Sequence, residues 1–552
     1  MSERKTDRAE NPGMNGKPGH SGKPGTARKP GTTGKPGGTG KPGMNGKSGG
    51  TRKPGMNGKP GTSGKPGVRG NAGKEGKMSP GGNRTLVRKG PYGRPAPKKA
   101  VDKKPAEMEG LAARRVALQV LRQVTEEGAY ASLSLDRALQ GCGMSAADRR
   151  LASRLVYDTL DHLFWIDHVL SQVMAREDTD IRLRNILRLG VCQILLEDRI
   201  PESAATNTCV QLCVELGMEG LKGVCNGILR TLVRRKDELV FPDPEKEPDE
   251  AAALQYSLPL WLWRQLKEDW GAEEAEKIAA YRNLDGGWTI RPNLTRVDDA
   301  SFEELLGKKI WGRTKLDILH AWQITGAVDL ARDADFLAGH FSIQSASSML
   351  VCEAMAPKRG KQYLDCCAAP GGKACYLAEL MDGTGRVQAW DVHEHRTALI
   401  EAQAHRLGLE NIRPMVRDAL KPREDLNMTM DGVLLDAPCS GMGVLAEKPD
   451  IRLRLTEEGV QALVETQKRL LDTVCAYVKL GGTLVYSTCS LLKAECEEQA
   501  RGFLARHPEF EEIPLPDTIP QRLRAYQSVG LQLLPYRDGM EGFYLCRMRR
   551  RS

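Results

Sequence analysis

The sequence predicts a multidomain chain: a disordered tail rich in Gly, Pro and Lys, an all-α bundle, a small α+β segment and a doubly wound α/β domain. Three observations lead there. Gly recurs at every third position near the N-terminus, and apolar residues then recur at helical spacing as far as residue 240. Past residue 340, apolar strand-like runs alternate with helical patterns and end in small, polar loops. At 552 residues there is room for three or four domains of about 150 residues each, with boundaries expected at 1–105, 106–240, 241–335 and 336–552. Fourteen Cys without a single C-x-x-C pair argue against a disulfide scaffold and against a metal site. No apolar run approaches the length of a membrane span, and the opening MSERKTDRAE is polar throughout, so a cytoplasmic protein without a secretory signal is expected.

The tail is periodic. Across residues 13–76 Gly falls at every third position except at Arg28 and Arg52, and KPG begins at Lys17, Lys23, Lys29, Lys35, Lys41, Lys53, Lys59 and Lys65. Composition alone suggests collagen, but Pro occupies alternate triplets, Lys repels Lys along the strand, and two missing glycines would break a triple-helix axis. With almost nothing apolar to bury, a solvated arm is expected. Residues 1–105 carry 25 Lys+Arg against 5 Asp+Glu, leaving 56 basic and 66 acidic residues in the remainder. A balance of +20 on the arm and −10 on the body favours a polyanionic partner: nucleic acid first, an anionic membrane surface second. Such an arm attracts phosphates without reading sequence, in a salt-dependent way.

From 107 to 240, Leu111, Val116, Leu118, Val120, Leu121 and Val124, then Leu151, Leu155, Val156 and Leu160, mark the buried faces of six or seven helices, with breaks at GCGMSAADRR, REDTD and RIPES. The phrases ADRRLASRLVYDTLDHLFWID, ILRLGVCQILLEDRIPESAATNTCVQL and GVCNGILRTLVRR resemble the NusB-type RNA-binding domain, most closely at Asn207 and at Asn226, Gly227, Ile228, Leu229 and Arg230. Asp158 and Asp161 stand where a Gly and an Arg are common in that family. The acidic, Pro-rich FPDPEKEPDE links to a helical stretch, whose Trp261, Trp263 and Trp270 read as core or interdomain packing in preference to base-stacking platforms, and to the strand-like WTIRPNLTRVD.

The chemistry follows residue 340. KQYLDCCAAPGGKACYLAELM reads as strand, small-residue turn and helix: Asp365 leads into Cys367, Ala368, Ala369, Pro370, Gly371, Gly372 and Lys373, a loop that lets backbone approach a ligand at a helix N-terminus. Asp391 ends the next strand 26 residues after Asp365, a position suited to the ribose hydroxyls of an adenosine cofactor, and Asp418 after the third is placed to accept from an adenine amino group. DGVLLDAPCSGMG then puts Asp436 and Cys439 at the end of a fourth strand, and GGTLVYSTCS puts Cys489 at the end of a fifth. Cys142, Cys192, Cys225, Cys352 and Cys546 read as small buried hydrophobes; two thiols at two strand ends beside an acid do not. Such a set suits methylation of cytosine at C5. A thiolate added to C6, with N3 protonated by Asp436, converts the ring to an enamine whose C5 can attack a methyl donor, and a second thiol can assist release.

DCCAAPGGK, LLDAPCSGMG and YSTCS resemble the motifs of the Sun/RsmB-type (Nop/Sun) RNA cytosine-C5 methyltransferases. The resemblance covers roughly 107–551, since the NusB-like block, the Arg291, Pro292, Asn293 phrase and SIQSASSML occur in the family's order. It implies a Rossmann-like methyltransferase domain that holds S-adenosylmethionine through residues 367–373, Asp391, Asp418 and Asp436. It further implies Cys489 as nucleophile, Cys439 as releasing cysteine and small-subunit (16S) ribosomal RNA as substrate; a monomer is expected, although the sequence does not fix the oligomeric state. Spacing alone leaves the choice of thiol open. Two rivals stand beside this reading: a DNA cytosine-C5 methyltransferase, in which the Pro438-Cys439 loop would supply the nucleophile, and a non-catalytic NusB-type RNA-binding factor. The Thr488-Cys489 motif and the NusB-like block count against the first, and the intact cofactor loop and thiol pair against the second.

Overall fold

The computed structural model describes residues 108–551 apart from 177, 283–285 and 327; the tail expected over 1–105 lies outside the described residues. Seven α-helices come first: Leu111–Glu127, Ala131–Leu139, Ala146–Asp161, Leu163–Val173, Ile181–Leu195, Glu202–Glu215 and Lys222–Arg235. The sequence breaks act as caps. Ser145 accepts the Asp148 N–H and Asp180 accepts the Arg182 N–H, each satisfying a donor that the first turn leaves free. The helical apolar positions meet in one core that includes Leu118, Leu121, Leu155, Leu160, Cys192 and Cys225. Of the five cysteines read as buried, Cys142 is the exception: it is half-exposed in the turn after the second helix.

Helices Pro248–Gln255, Leu260–Trp270 and Ala272–Ala280 bridge to the catalytic half. Trp263 is buried, Trp261 is half-buried in the same cluster, and the Trp270 indole donates to the Leu491 carbonyl at 2.8 Å, so all three are packing residues. A small antiparallel sheet follows, from β1 (Trp288–Pro292), β2 (Gly312–Lys315), β3 (Trp322–Thr325) and β4 (Phe341–Ile343), in the order β2-β3-β1-β4. β4 carries this sheet past residue 335, where the sequence had placed its end.

The Arg291-Pro292-Asn293 phrase fastens this sheet to the domain that follows. Arg291 is wholly buried, pairs with Glu379 on helix Gly372–Leu380, donates to Gln344 Oε1 at 2.6 Å and stacks 4.1 Å over the Tyr376 ring. Asn293 donates to the carbonyls of Gly339 and Leu407, both at 2.9 Å.

The large sheet contains β5 (Gln362–Asp365), β6 (Arg386–Asp391), β7 (Ile412–Val416), β8 (Met430–Asp436), β9 (Val478–Thr488), β10 (Phe510–Glu512), β11 (Leu531–Leu533) and β12 (Phe543–Arg550). Its order is β10-β12-β9-β8-β5-β6-β7, with β11 on β12. β5 to β9 run parallel and β12 returns antiparallel to β9. Strand order reverses at β5, which lies between β6 and β8, and in such sheets the crevice at the carboxyl ends of the strands is where ligands bind.

The helical and catalytic halves are joined through a buried charge cluster. Arg452, 1% exposed in the short helical stretch Pro449–Leu453, pairs with Asp161 at 2.7 Å, and Arg282 reaches the same carboxylate at 2.8 Å. Asp161 therefore faces the catalytic half rather than a free RNA-facing surface. Among the described residues no helix is long and apolar enough to cross a membrane.

Candidate active site

Asp391, Asp418, Asp436, Cys439 and Cys489 all stand at or just beyond the carboxyl end of a parallel strand. The Gly-rich turn is held to β6 by the Ala368 N–H, which donates to the Trp390 carbonyl at 2.8 Å. Gly371 has φ 109° and would place a Cβ 3.1 Å from the Cα of Ile400 on helix Glu394–Leu407, so only glycine lets the loop lie this close to that helix. Gly372 opens helix Gly372–Leu380, whose second residue is Lys373. The Lys373 ammonium contacts Asp436 at 2.8 Å; burial alone would lower its pKa, but the Asp436 charge and hydrogen bond raise it instead. Ser487 Oγ donates to the other Asp436 oxygen at 2.9 Å. Asp391 is nearly buried, accepts the His393 N–H at 3.0 Å and has Arg396 at 3.4 Å. Asp418 caps its own turn by accepting the Leu420 N–H at 3.0 Å.

The two thiols meet. Cys439 Sγ and Cys489 Sγ are 3.2 Å apart, although 50 residues separate them. The Cys489 carbonyl accepts the Gly443 N–H at 3.0 Å, and the Gly443 carbonyl accepts the Gly542 N–H at 2.8 Å. A Cβ on Gly443 would sit 1.9 Å from the Gly542 oxygen, so the close approach of the Cys439 loop to the start of β12 requires glycine. The pair is electrostatically unequal. The Cys489 thiol lies below its ordinary pKa, first because of its hydrogen bond with Cys439, and further because of Lys373 and Lys448, against the opposing effects of burial and Asp436. Cys439 is pushed up by the reciprocal bond and by burial.

Comparison with known proteins places the chain in a family. The description "16S rRNA methyltransferase RsmB/F" matches residues 352–549, and that of the NusB family matches 111–234. A probable ribosomal RNA small subunit methyltransferase B of Bacillus subtilis is 33% identical over 449 residues, covering 81% of this chain and 100% of that protein. One from Synechocystis is also 33% identical, over 80% of this chain and 100% of its own. The crystal structure of PH0851 superposes with a TM-score of 0.70 at 25% identity, covering 80% of this chain and 99% of that one. The chain belongs to the RsmB/F family of methyltransferases.

The RsmB/F cofactor is S-adenosylmethionine, and the residues present fit it. A cavity of about 210 Å³ opens at the ends of β5 and β8, lined by Asp365, Cys367, Ala368, Ala369, Pro370, Gly372, Lys373 and Asp436. Asp365 is wholly buried there, and neither of its carboxylate oxygens has a hydrogen-bond partner among the described residues. Burial, then the neighbouring Asp436 charge, pushes its carboxyl up to about 7. An orphaned acid of this kind suits the α-ammonium group of the cofactor's methionine. Asp391 and Asp418 stand at neighbouring strand ends and do not line this cavity. Sequence reasoning missed Asp365 as a site residue, although a carboxylate immediately before a Gly-rich turn was a usable signal. It also missed Gln344, Ser345 and Ser348, which close the cavity from the segment joining the two sheets.

Proposed function

We propose that this RsmB/F-family protein methylates C5 of a cytosine in small-subunit ribosomal RNA through a covalent bond between Cys489 and C6 of the base. The observation that carries the reading is the thiol pair, two sulfurs from two different strand ends within 3.2 Å beside a Lys–Asp pair. S-adenosylmethionine, held by residues 367–373, Asp365, Asp391, Asp418 and Asp436, supplies an electrophilic methyl group when bound.

The chain's own residues do the rest. Cys489, the thiol with the lowered pKa, offers a thiolate that adds to C6, and the C5–C6 electron pair moves onto C5. Asp436, which accepts a hydrogen bond from the Lys373 ammonium at 2.8 Å, relays a proton from it to N3 and prevents the ring from accumulating negative charge. Once C5 carries the methyl group, its proton leaves to a base. The electron pair of that C–H bond reforms the C5–C6 double bond, the sulfur–C6 bond breaks, and N3 returns its proton to Asp436. Cys439 donates its S–H to the departing Cys489 thiolate. The NusB-like domain supplies RNA contacts outside the catalytic crevice.

A denaturing gel tests the assignment. Cys489→Ser should abolish both methylation and the adduct with RNA containing 5-fluorocytosine, whose fluorine blocks proton removal. Cys439→Ala should keep attack and slow release, so that an adduct accumulates on ordinary RNA. An adduct with the Cys489 variant and none with the Cys439 variant would reverse the two roles.

A further inference from the structure

Behind the thiol pair lies a buried carboxylate that the mechanism above does not use. Glu495 sits in the turn after the Cys489 loop, is wholly buried, and gathers hydrogen bonds from three elements. Its Oε1 accepts the Ser440 backbone N–H at 2.9 Å and the Gln467 Nε2–H at 3.0 Å. Its Oε2 accepts the hydroxyls of Ser440 and Ser490, each at 2.5 Å, and those two hydroxyls are themselves 3.1 Å apart. Ser440 follows Cys439 and Ser490 follows Cys489. Gln467, on helix Glu457–Val474, also donates to the carbonyl of Pro438, the residue before Cys439.

We infer that Glu495 is a positioning residue for the methyl-transfer reaction: one carboxylate ties the residue after each cysteine to the same point, sets the sulfur–sulfur approach, and keeps the two thiols unequal. The inference rests on the Cys489-nucleophile reading above. All four groups around Glu495 are donors, so the site calls for an acceptor on both oxygens. The two cysteine loops leave different strands and share no other direct side-chain link besides the sulfurs and these serines among the bonds described. Without the tie the two loops are joined only by the sulfurs and by backbone bonds such as Gly443 N–H to the Cys489 carbonyl, and the residues after the cysteines can shift relative to each other. The carboxylate charge also contributes to holding the Cys439 thiol up, on top of its bond to Cys489 and burial, which leaves Cys439 as the thiol donor and Cys489 as the acceptor.

A glutamine is nearly isosteric but replaces one acceptor oxygen with an NH₂ facing donors, so E495Q is the informative change. In the full-length protein at limiting iodoacetamide, peptide mapping should show wild-type Cys489 alkylated at least tenfold faster than Cys439. In E495Q the ratio should fall toward one, and adduct formation with 5-fluorocytosine RNA should slow at least tenfold and shift to higher pH. S-adenosylmethionine affinity, which depends mostly on residues at the ends of β5, β6 and β7, should change less than about twofold. If E495Q fails to fold, the double variant S440A/S490A removes only the two hydroxyl links and should lower the same ratio. An unchanged alkylation ratio and pH profile in a folded variant overturns the inference. If Cys439 is the faster thiol in wild type and E495Q still changes the ratio, the positioning role stands and the nucleophile assignment fails.

Discussion

Replacing Asp365 with Asn should stabilise the protein without cofactor and weaken cofactor binding. The Asp365 carboxyl is raised from an ordinary 3.8 to about 7 in the folded chain, by burial first and the Asp436 charge second. Between pH 4 and 7 the folded state therefore holds a proton that the unfolded chain has released, and stability falls as pH rises through that window. At about 1.4 kcal/mol per pH unit, three units amount to an effect on the order of 4 kcal/mol, fully expressed above pH 7. Asp365→Asn removes the titration. At pH 8 its apo form should melt of the order of 10 °C above wild type, and the difference should shrink to nothing near pH 4. Loss of a charge-assisted bond to the cofactor's ammonium should weaken S-adenosylmethionine by roughly tenfold to a hundredfold. Differential scanning fluorimetry across pH, with and without cofactor, reads both effects. Identical apo melting at pH 8, or wild-type affinity in the variant, would refute the account of Asp365 as a buried acid awaiting a cation.

Asp391→Ala should lower S-adenosylmethionine affinity, by calorimetry, roughly tenfold to a hundredfold through lost ribose hydrogen bonds. Asp161→Ala leaves the buried Arg452 guanidinium, already lowered to about 10 by its burial, with the carbonyl of residue 161 but without its carboxylate partner. Urea unfolding should register a loss of about 3–5 kcal/mol, and adding Arg452→Met should recover most of it. Deleting residues 1–100 should flatten the salt dependence of RNA binding while methylation mapping shows the same target position, because Lys repeats without aromatic or amide groups grip phosphates and do not read bases.

Strand ends were legible because chemistry at a doubly wound sheet concentrates there: Asp391, Asp418, Asp436, Cys439 and Cys489 could be placed from local pattern alone. Helix caps such as Ser145 and Asp180 were legible for the same reason, since a cap acts within three residues. The unread parts depend on long-range packing. Asp161 departs from its family pattern in a way that makes sense only once Arg452, 291 residues later, is packed against it. Glu495 looks like an ordinary surface acid in KAECEEQA until the fold brings Ser440 and Gln467 to it. The inequality of the two thiols, which spacing could not resolve, emerged from the hydrogen bond between them and, after it, from the positions of Lys373 and Lys448.

The Asp161 anchor has a geometric consequence for any RNA that touches both halves. Pro449–Leu453, which receives the anchor, follows the Cys439 loop in the chain by a few residues, so the helical domain is fixed to the frame of the catalytic crevice rather than tethered to it. The exposed face of helix Lys222–Arg235, with Lys222, Arg230 and Arg234, then stands at a set distance from the sulfurs. On the function proposed above, this fixed spacing would act as a caliper: a cytosine would be chosen when the surrounding RNA presents its backbone at the second jaw while the base reaches the first, so that selection would follow the three-dimensional shape of the RNA more than the letters flanking the target.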